Sequence, residues 1–192
     1  MVKSIQIAGV GGQGILVAAD IIALAAMQSG FDVKKSEIHG MSQRGGSVLS
    51  AVKFGDNVAS PVVTAGEADV LLAFEKLEAL RQVHYLSDEG LLVVNDLQID
   101  PLSVVAGNME YPGDINMQLE KKVKPENILM INANQIATKA GNLRTMNVVL
   151  LGAISHKLPE INESSWKQAI AQRVPSKYTE VNYKAFDMGK KS

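Results

Sequence analysis

The sequence predicts an α/β fold in which helices cover both faces of a mostly parallel β-sheet. Short, uninterrupted apolar runs, typical of strands buried on both faces, alternate with longer segments of helical pattern. A glycine-rich turn joins the first apolar run to the first helical segment. The chain has 192 residues, of which 46% are hydrophobic and 20% charged, and this is enough to bury one core. We therefore expect residues 1–192 to form a single domain.

The first elements are defined by the apolar pattern and by the positions of glycine. Residues 4–10 predict a short buried strand, and residues 15–29 predict a helix that is apolar on nearly every face. Gly30 is the expected C-cap of this helix, and residues 31–38 predict a second strand. We interpret this succession of strand, turn, helix and strand as the opening βαβ unit of a parallel sheet.

The same patterns predict the later elements. Strands are expected at residues 48–54, 69–74, 90–95 and 128–133, and helices at residues 75–85, 134–140, 146–157 and 163–173. Residues 98–126 hold three prolines and two glycines, and we expect an edge hairpin or an interaction loop there. Residues 174–192 form a polar tail with some helical pattern, which either lies across a partner or frays.

Composition and charge argue against several classes of protein. The net charge of −1 leaves no basic excess, so a nucleic-acid partner is not expected. No apolar run approaches the roughly 18 residues that span a bilayer. The first residues lead directly into a strand, without the architecture of a signal peptide. These observations predict a cytoplasmic protein with no membrane association.

The cysteine count of zero is the most informative number in the composition. Iron–sulfur clusters are held chiefly by cysteine thiolates, so this chain has no ligands for a conventional cluster. Disulfides, thiolate nucleophiles and cysteine-ligated zinc are excluded as well. The histidines are His39, His84 and His156, and they are too scattered to predict a metal site. If the chain takes part in redox chemistry, the electrons must travel through another component.

A glycine motif follows the first predicted strand. The run from Gly9 to Gly14, GVGGQG, fits the pattern G-x-G-x-x-G between a strand and a helix. In that context the first glycine permits a tight turn, the second a close approach of a diphosphate, and the third close packing of helix on strand. Free N–H groups at the helix start add an anion site. Two interpretations stay open: the glycines serve only the turn and packing, or a nucleotide or diphosphate is bound by Gly9, Gly11, Gly12, Gln13 and Gly14.

An acidic residue normally accompanies this motif in proteins that bind NAD. It lies at the end of the second strand and contacts the ribose hydroxyls. Here Asp32 falls at the start of the second predicted strand, and Glu37 lies 23 residues after Gly14, which is a loose match. This placement argues against an independent NAD dehydrogenase.

A second motif, SEIHGMSQRGGS at residues 36–47, follows the second predicted strand. It is expected at the carboxyl edge of the sheet near the glycine motif, where open α/β sheets bind ligands. An arginine there can hold a phosphate or carboxylate with two hydrogen bonds, and a histidine can move a proton near neutral pH. The predicted ligand or interface loop consists of His39, Gln43, Arg44, Gly45, Gly46 and Ser47, with His39 as the one candidate for a catalytic role. The alternative is a structural turn whose polar side chains bond to neighbouring backbone or to a partner subunit.

A third polar segment, residues 142–147, opens the later helix at residues 146–157. Thr145 is the expected N-cap of that helix, and Asn147 is close enough to the helix start to point into the cleft instead. A capping role for this segment is favoured over a role in the cleft.

Together, GVGGQGI and SEIHGMSQRGGSV at this separation resemble the gamma-subunit family of 2-oxoacid:ferredoxin oxidoreductases. The chain length, the order of elements and the late segment NVVLLGA are similar too. The form His-Gly-Met-x-Gln-Arg-Gly-Gly favours the indolepyruvate branch, in which the corresponding chain is called the beta subunit. The resemblance implies enzymes that decarboxylate a 2-oxoacid on thiamine diphosphate, pass electrons through iron–sulfur clusters to ferredoxin, and release an acyl-CoA.

The resemblance also implies a division of labour between two subunits. A large alpha subunit is expected to carry thiamine diphosphate, magnesium and the clusters, and this chain is expected to be inactive alone. Its glycine loop either helps to hold CoA or chiefly shapes the interface. The rival interpretations are a gamma subunit acting on pyruvate, 2-oxoisovalerate or 2-oxoglutarate, a free-standing NAD(P)-binding protein, and a scaffold subunit without catalytic function.

Overall fold

A computed structural model describes residues 2–39 and 46–192 of the chain. This part forms one six-stranded sheet with helices packed on both faces, which confirms the predicted fold class. Of the second motif, Gln43, Arg44 and Gly45 lie outside the described residues, as does the side chain of His39.

The strands of the sheet stand in the order β2-β3-β1-β4-β5-β6. Their bounds are β1 (Val2–Val10), β2 (Asp32–His39), β3 (Ser47–Gly55), β4 (Ala68–Ala73), β5 (Leu86–Asn95) and β6 (Ile128–Ile131). Strands β1, β4, β5 and β6 are parallel to one another, whereas β3 is antiparallel to both of its neighbours.

The predicted βαβ unit is therefore only partly right. Strands β1 and β2 point in the same direction, but β3 lies between them. The reason is the length of the β2–β3 connection, which spans residues 40–46. A parallel neighbour requires a crossover of a dozen or more residues, so a connection this short forces the two strands to pair antiparallel.

Two layers of helices cover the sheet. The helices are α1 (Ile15–Gln28), α2 (Lys76–Gln82), α3 (Leu102–Val105), α4 (Ile115–Glu120), α5 (Ala133–Ala140), α6 (Met146–Ser155), α7 (Glu163–Arg173) and α8 (Thr179–Gly189). Along β4, Leu72 faces the core beneath α1 and α6, while Leu71 faces the core that also holds Leu119 of α4. This alternation buries both faces of a central strand. No helix in the described ranges is long and apolar enough to cross a membrane.

The segment at residues 98–126 is not an edge hairpin. It forms the short helices α3 and α4, and α4 packs its Ile115 and Leu119, four residues apart on one face, into the core shared with α2. The buried carboxylate of Glu75, at the end of β4, ties the segment to the sheet. It accepts hydrogen bonds from Ile99 N at 3.2 Å and from Tyr111 Oη at 2.7 Å.

The tail at residues 174–192 does not fray. Most of it forms α8, which packs closely against α6 with Phe186 and Ala185 buried. The contact is between backbones: a Cβ atom added at Gly152 would lie 2.2 Å from Phe186 O, and one added at Gly189 would lie 2.0 Å from Val149 O. Glycine at both positions therefore permits the two helices to touch.

An ion pair near the starts of β1 and β4, between Lys53 and Glu67, makes the stability of the fold depend on pH. The buried Lys53 Nζ lies 2.5 Å from Glu67 Oε1, and Glu67 also accepts from Thr64 N at 2.7 Å. The hydrogen bond from Lys53, followed by that from Thr64, lowers the pKa of Glu67 from 4.5 to about 2. Because this pKa is depressed on folding, the stabilisation is complete above about pH 4.5 and is lost as the pH falls towards 2.

We expect Glu67→Gln to lower the free energy of unfolding by about 1–2 kcal/mol at pH 7, a value reduced for the 38% exposure of the carboxylate. The difference from the unchanged protein should shrink as the pH is lowered from 5 to 3. Urea denaturation at several pH values measures it. Glu89→Gln, at an exposed ion pair with Lys124, is the control and should leave stability nearly unchanged. If Glu67→Gln lowered the free energy of unfolding equally at every pH, the ion pair with Lys53 would not be the source of the stabilisation.

Candidate ligand-binding site

The glycine motif forms a loop between β1 and α1. Gly12 and Gly14 have φ angles of 98° and 82°, in the left-handed region that favours glycine. Gly14 is the N-cap of α1, and the first turn of this helix contains no acidic residue. A Cβ at Gly14 would lie 2.9 Å from Asn147 Nδ2 of α6, so the close contact here is with a second helix and not, as predicted, with a strand. A Cβ at Gly12 would meet nothing within 4 Å. The loop therefore exposes its backbone to open space at Gly12, as an anion site requires.

Gln13 holds this loop in place. Its Oε1 accepts from Val10 N at 2.7 Å and its Nε2 donates to Phe74 O at 3.0 Å, so the amide bridges the ends of β1 and β4. A Cβ at Gly9 would lie 2.8 Å from Gln13 Oε1 and 2.8 Å from Phe74 Cβ, so a glycine is needed there for the turn. Both polar groups of Gln13 already have internal partners. Its predicted contact with a ligand remains a prediction.

The described end of the second motif lies beside the glycine loop, as the sequence predicted. Gly46 O accepts from Gly11 N at 3.0 Å, and Ser47 pairs with Val10 across the β1–β3 ladder. Ser47 Oγ donates to the buried carboxylate of Glu78 at 2.6 Å. Glu78 could not be recognised from the sequence, because carboxylates are common in the first turn of a helix without any role in a site.

A cleft of about 750 Å³ opens beside the glycine loop. Gly12, Gln13 and Gly14 line it on one side, and the other walls come from residues between the end of β5 and α8. None of the described residues that line the cleft is acidic. Its polar wall includes Asn134, Asn142, Arg144, Asn147, Arg173 and Asn182.

Two arginines give this cleft a positive charge. Arg173 Nε donates to Asp20 Oδ2 at 2.7 Å, so its charge is partly balanced. Arg144 is exposed and, within the described part of the chain, makes no ion pair. Its guanidinium is therefore free to hold a phosphate or carboxylate. Neither arginine was predicted to bind a ligand, although Arg144 belongs to the polar segment at residues 142–147, because no local pattern shows that residue 144 and the end of α7 reach the same cleft.

Residues 142–147 do more than cap a helix. Thr145 stands at the N-cap of α6, but its hydroxyl makes no capping bond and donates instead to Asn142 O at 2.8 Å. The predicted N-cap position of Thr145 is therefore confirmed, although its side chain does not bond to the helix it precedes. Asn147 lines the cleft, with Nδ2 3.5 Å from Gly14 O.

The acidic residue expected of an NAD site is engaged elsewhere. Glu37 Oε1 lies 2.6 Å from Lys35 Nζ, and Lys35 also pairs with Asp20 on α1. Because β3 separates β2 from β1, Glu37 lies two strands away from the glycine loop. This geometry disfavours a ribose-binding role. In residues 2–39 and 46–192, no three His, Asp or Glu side chains come close enough together to hold a metal ion.

Fold and site together define a Rossmann-like domain with a glycine loop and an arginine-lined cleft at the carboxyl edge of its sheet. The family model described as "Pyruvate ferredoxin/flavodoxin oxidoreductase" matches residues 4–192. The chain belongs to this family.

Individual relatives are similar over nearly the whole chain. It is 43% identical to "Indolepyruvate oxidoreductase subunit IorB" of Pyrococcus horikoshii, over 98% of this chain and 95% of that protein. The identity to the IorB subunit of Archaeoglobus fulgidus is 41%, over 97% of this chain and 92% of that protein. The identity falls to 27% for "2-oxoglutarate synthase subunit KorC" of Methanothermobacter marburgensis, over 99% of this chain and 96% of that protein.

Solved structures show the same fold. The gamma subunit of a keto/oxoacid ferredoxin oxidoreductase from Geobacter sulfurreducens superposes with a TM-score of 0.72 at 27% identity, covering 98% of this chain and 96% of that one. A 2-oxoglutarate:ferredoxin oxidoreductase from Magnetococcus marinus, solved with 2-oxoglutarate, coenzyme A and succinyl-CoA bound, gives a TM-score of 0.73 at 24% identity. The superposition covers 99% of this chain and 30% of that longer chain.

Proposed function

We propose that this chain is the small subunit of an indolepyruvate:ferredoxin oxidoreductase. The complex would convert indolepyruvate and other arylpyruvates to aryl-acetyl-CoA and pass the electrons to ferredoxin. The observation that carries the proposal is the gap in identity, 43% and 41% to two IorB subunits against 27% to the 2-oxoglutarate enzyme's subunit. The main rival remains a gamma subunit for pyruvate, 2-oxoisovalerate or 2-oxoglutarate.

The partner in this proposal is a large alpha subunit that carries thiamine diphosphate, magnesium and the iron–sulfur clusters. Thiamine diphosphate supplies the carbanion chemistry of decarboxylation, and the clusters supply one-electron transfer. The present chain contains no cysteine, so it offers no thiolate ligand to a cluster. Its own contribution would be to bind a ligand and to orient it for the reaction in the partner subunit.

The ligand that this chain would orient is coenzyme A, an acceptor-rich molecule with several phosphate oxygens. Gly12 and Gly14, which precede the first turn of α1, line the same cleft as Arg144, and no acidic residue is among those that line it in the described chain. A helix start and a guanidinium are suited to a diphosphate. The proposed contacts are Gly9, Gly11, Gly12, Gln13 and Gly14, with His39, Gln43, Arg44, Gly45, Gly46 and Ser47 as a second ligand or interface loop. His39 stays the one candidate for proton transfer.

Co-expression with the large subunit tests the function. Reduction of ferredoxin or a viologen dye should require both subunits and CoA, and should be faster with indolepyruvate and phenylpyruvate than with pyruvate or 2-oxoglutarate. The isolated chain should reduce neither acceptor. Activity of the isolated chain would refute the assignment to a complex, and a preference for aliphatic substrates would favour the gamma-subunit rival.

Gly12→Ala tests the role of the loop. Alanine at a φ of 98° is strained by about 1–2 kcal/mol, so the loop must move away from the geometry that presents its N–H groups. We expect the KM of the complex for CoA to rise about tenfold, with kcat at saturating CoA unchanged. Steady-state kinetics of the assembled complex provides the measurement.

The matched control is Gly107→Ala, which imposes a similar strain at a φ of 73°, also with open space around the added Cβ, but outside the cleft. It should lower thermal stability by a comparable amount and leave the KM for CoA unchanged. An unchanged KM for Gly12→Ala in an intact complex would favour the scaffold interpretation.

A further inference from the structure

Two side-chain amides, that of the half-buried Gln13 and that of the buried Asn95, link the carboxyl ends of β1, β4 and β5. Phe74 O accepts from Gln13 Nε2 at 3.0 Å and from Asn95 Nδ2 at 3.2 Å. A carbonyl oxygen has two lone pairs, so this acceptor is filled. Asn95 has no exposed surface, and each of its polar groups therefore needs a partner.

The orientation of Asn95 is fixed by backbone. Ala133 N lies 3.0 Å from Asn95 Oδ1, and a backbone N–H group can only donate. The other end of the Asn95 amide is therefore the nitrogen. Its two N–H groups are both used, one on Phe74 O and one on Asn134 Oδ1 at 3.1 Å.

This orientation in turn fixes Asn134. Because Asn134 Oδ1 accepts from Asn95, the Nδ2 group of Asn134 points away from Asn95. Asn134 is half-buried in the wall of the cleft, and its Nδ2 group makes no hydrogen bond within the described ranges. Asn134 therefore contributes to the wall of the cleft a side chain whose two Nδ2–H groups have no partner among the described residues.

We propose that Asn134 is a ligand-binding residue of this cleft, donating from Nδ2 to a phosphate or carbonyl oxygen of the bound molecule. It shares the cleft with the cation of Arg144 and the backbone of Gly12, and no acidic side chain among the described lining residues competes for these donors. A wall of this kind selects an anionic, acceptor-rich ligand over a donor-rich one. The inference rests on the proposed function for the choice of CoA as the probe.

Asn134→Asp is the sharpest test, because it changes one atom's chemistry and little else. The aspartate oxygen still accepts from Asn95, so the buried network keeps its partners, but the donor that faces the cleft becomes an anionic acceptor. The second residue of α5 is also a favourable place for a negative charge, so the melting temperature should not fall. We expect the KM of the co-expressed complex for CoA to rise at least about tenfold, a loss of one charge-assisted hydrogen bond, with kcat at saturating CoA within about twofold.

Asn132→Asp is the matched control. It makes the same change two residues earlier, at the exposed N-cap of α5, where Oδ1 accepts from Gln135 N at 2.9 Å and the side chain does not line the cleft. Its KM for CoA should stay unchanged. If the KM for CoA rose equally in both variants, the added negative charge would act at long range and not through a direct contact. That result would overturn the role of Asn134.

The remaining outcomes separate this inference from the proposed function. If Gly12→Ala raises the KM for CoA and Asn134→Asp does not, the role of Asn134 is overturned and the site at the glycine loop stands. If neither variant changes the KM of a complex that oxidises arylpyruvates, CoA does not use this cleft and both placements are overturned.

Discussion

Replacing Gly152 with alanine is expected to lower the free energy of unfolding by about 3 kcal/mol. In the interior of a helix, alanine is intrinsically more stable than glycine by about 1 kcal/mol, so helix propensity alone predicts the opposite sign. At Gly152 the steric clash outweighs the gain in helix propensity. The new Cβ would lie 2.2 Å from Phe186 O and 3.0 Å from Lys190 N, and backbone atoms of α8 cannot rotate away as a side chain can.

To relieve this clash, α8 must move away from α6. Phe186 of α8, which is buried, would then become partly exposed to water. Chemical denaturation monitored by the fluorescence of the single tryptophan, Trp166, reports directly on this region, because its ring lies 5.9 Å from that of Phe186. Gly113→Ala is the control: a Cβ there meets nothing within 4 Å, so stability should change little. A Gly152→Ala protein as stable as the unchanged one would contradict the direct contact of the two helix backbones.

Arg144→Glu is expected to raise the KM of the complex for CoA by at least about 30-fold, with kcat at saturating CoA little changed. Loss of a charge-assisted hydrogen bond costs about 1.5–3 kcal/mol, which is roughly 10- to 100-fold in affinity, and the reversed charge adds repulsion. Arg144 is exposed and is not involved in an ion pair with any described residue, so folding should be little affected. Kinetics of the assembled complex at varied CoA gives the value.

Lys124→Glu is the matched control for this variant. It makes the same change of two charge units at an exposed lysine that pairs with Glu89 and does not line the cleft. If long-range attraction of an anion is the main effect, both variants should raise the KM to a similar degree, and the rise should vanish at high salt. If neither variant changes the KM, CoA is bound elsewhere in the complex.

The part of the site that could be predicted from sequence is the part built from local pattern. A glycine run between a strand and a helix predicts the loop at Gly12 and Gly14, and a polar motif after the second strand predicts its neighbour at Gly46. Both follow the carboxyl ends of strands that point the same way, which is enough to bring them together. The pattern did not reveal that β3 would lie between those strands, because apolar periodicity defines a strand but not its neighbour.

The opposite wall of the cleft could not be predicted. Asn134 lies on α5, Arg144 directly before α6 and Arg173 at the end of α7, and they line one cleft because these helices pack on the same face of the sheet. The close contact of Gly152 with α8 is likewise a tertiary effect: each glycine alone resembles an ordinary weak position in a helix. The prolines and glycines of residues 98–126 predicted an edge hairpin or an interaction loop. The helix α4 found there packs Ile115 and Leu119 into a core formed with distant residues, which local pattern does not reveal.

The position of α8 has a consequence for how the protein matures. Tyr178 and Asn182 line the cleft together with Gly12 and Gly14, although more than 160 residues separate them in the chain. Contacts at this sequence separation form late and slow the search for the native state. During synthesis the strands β1 to β5 would leave the ribosome well before the wall that faces the glycine loop exists. The glycine loop of a nascent chain would therefore lack the wall that Tyr178 and Asn182 supply, and the complete cleft forms only after α8 has been made and has packed on α6.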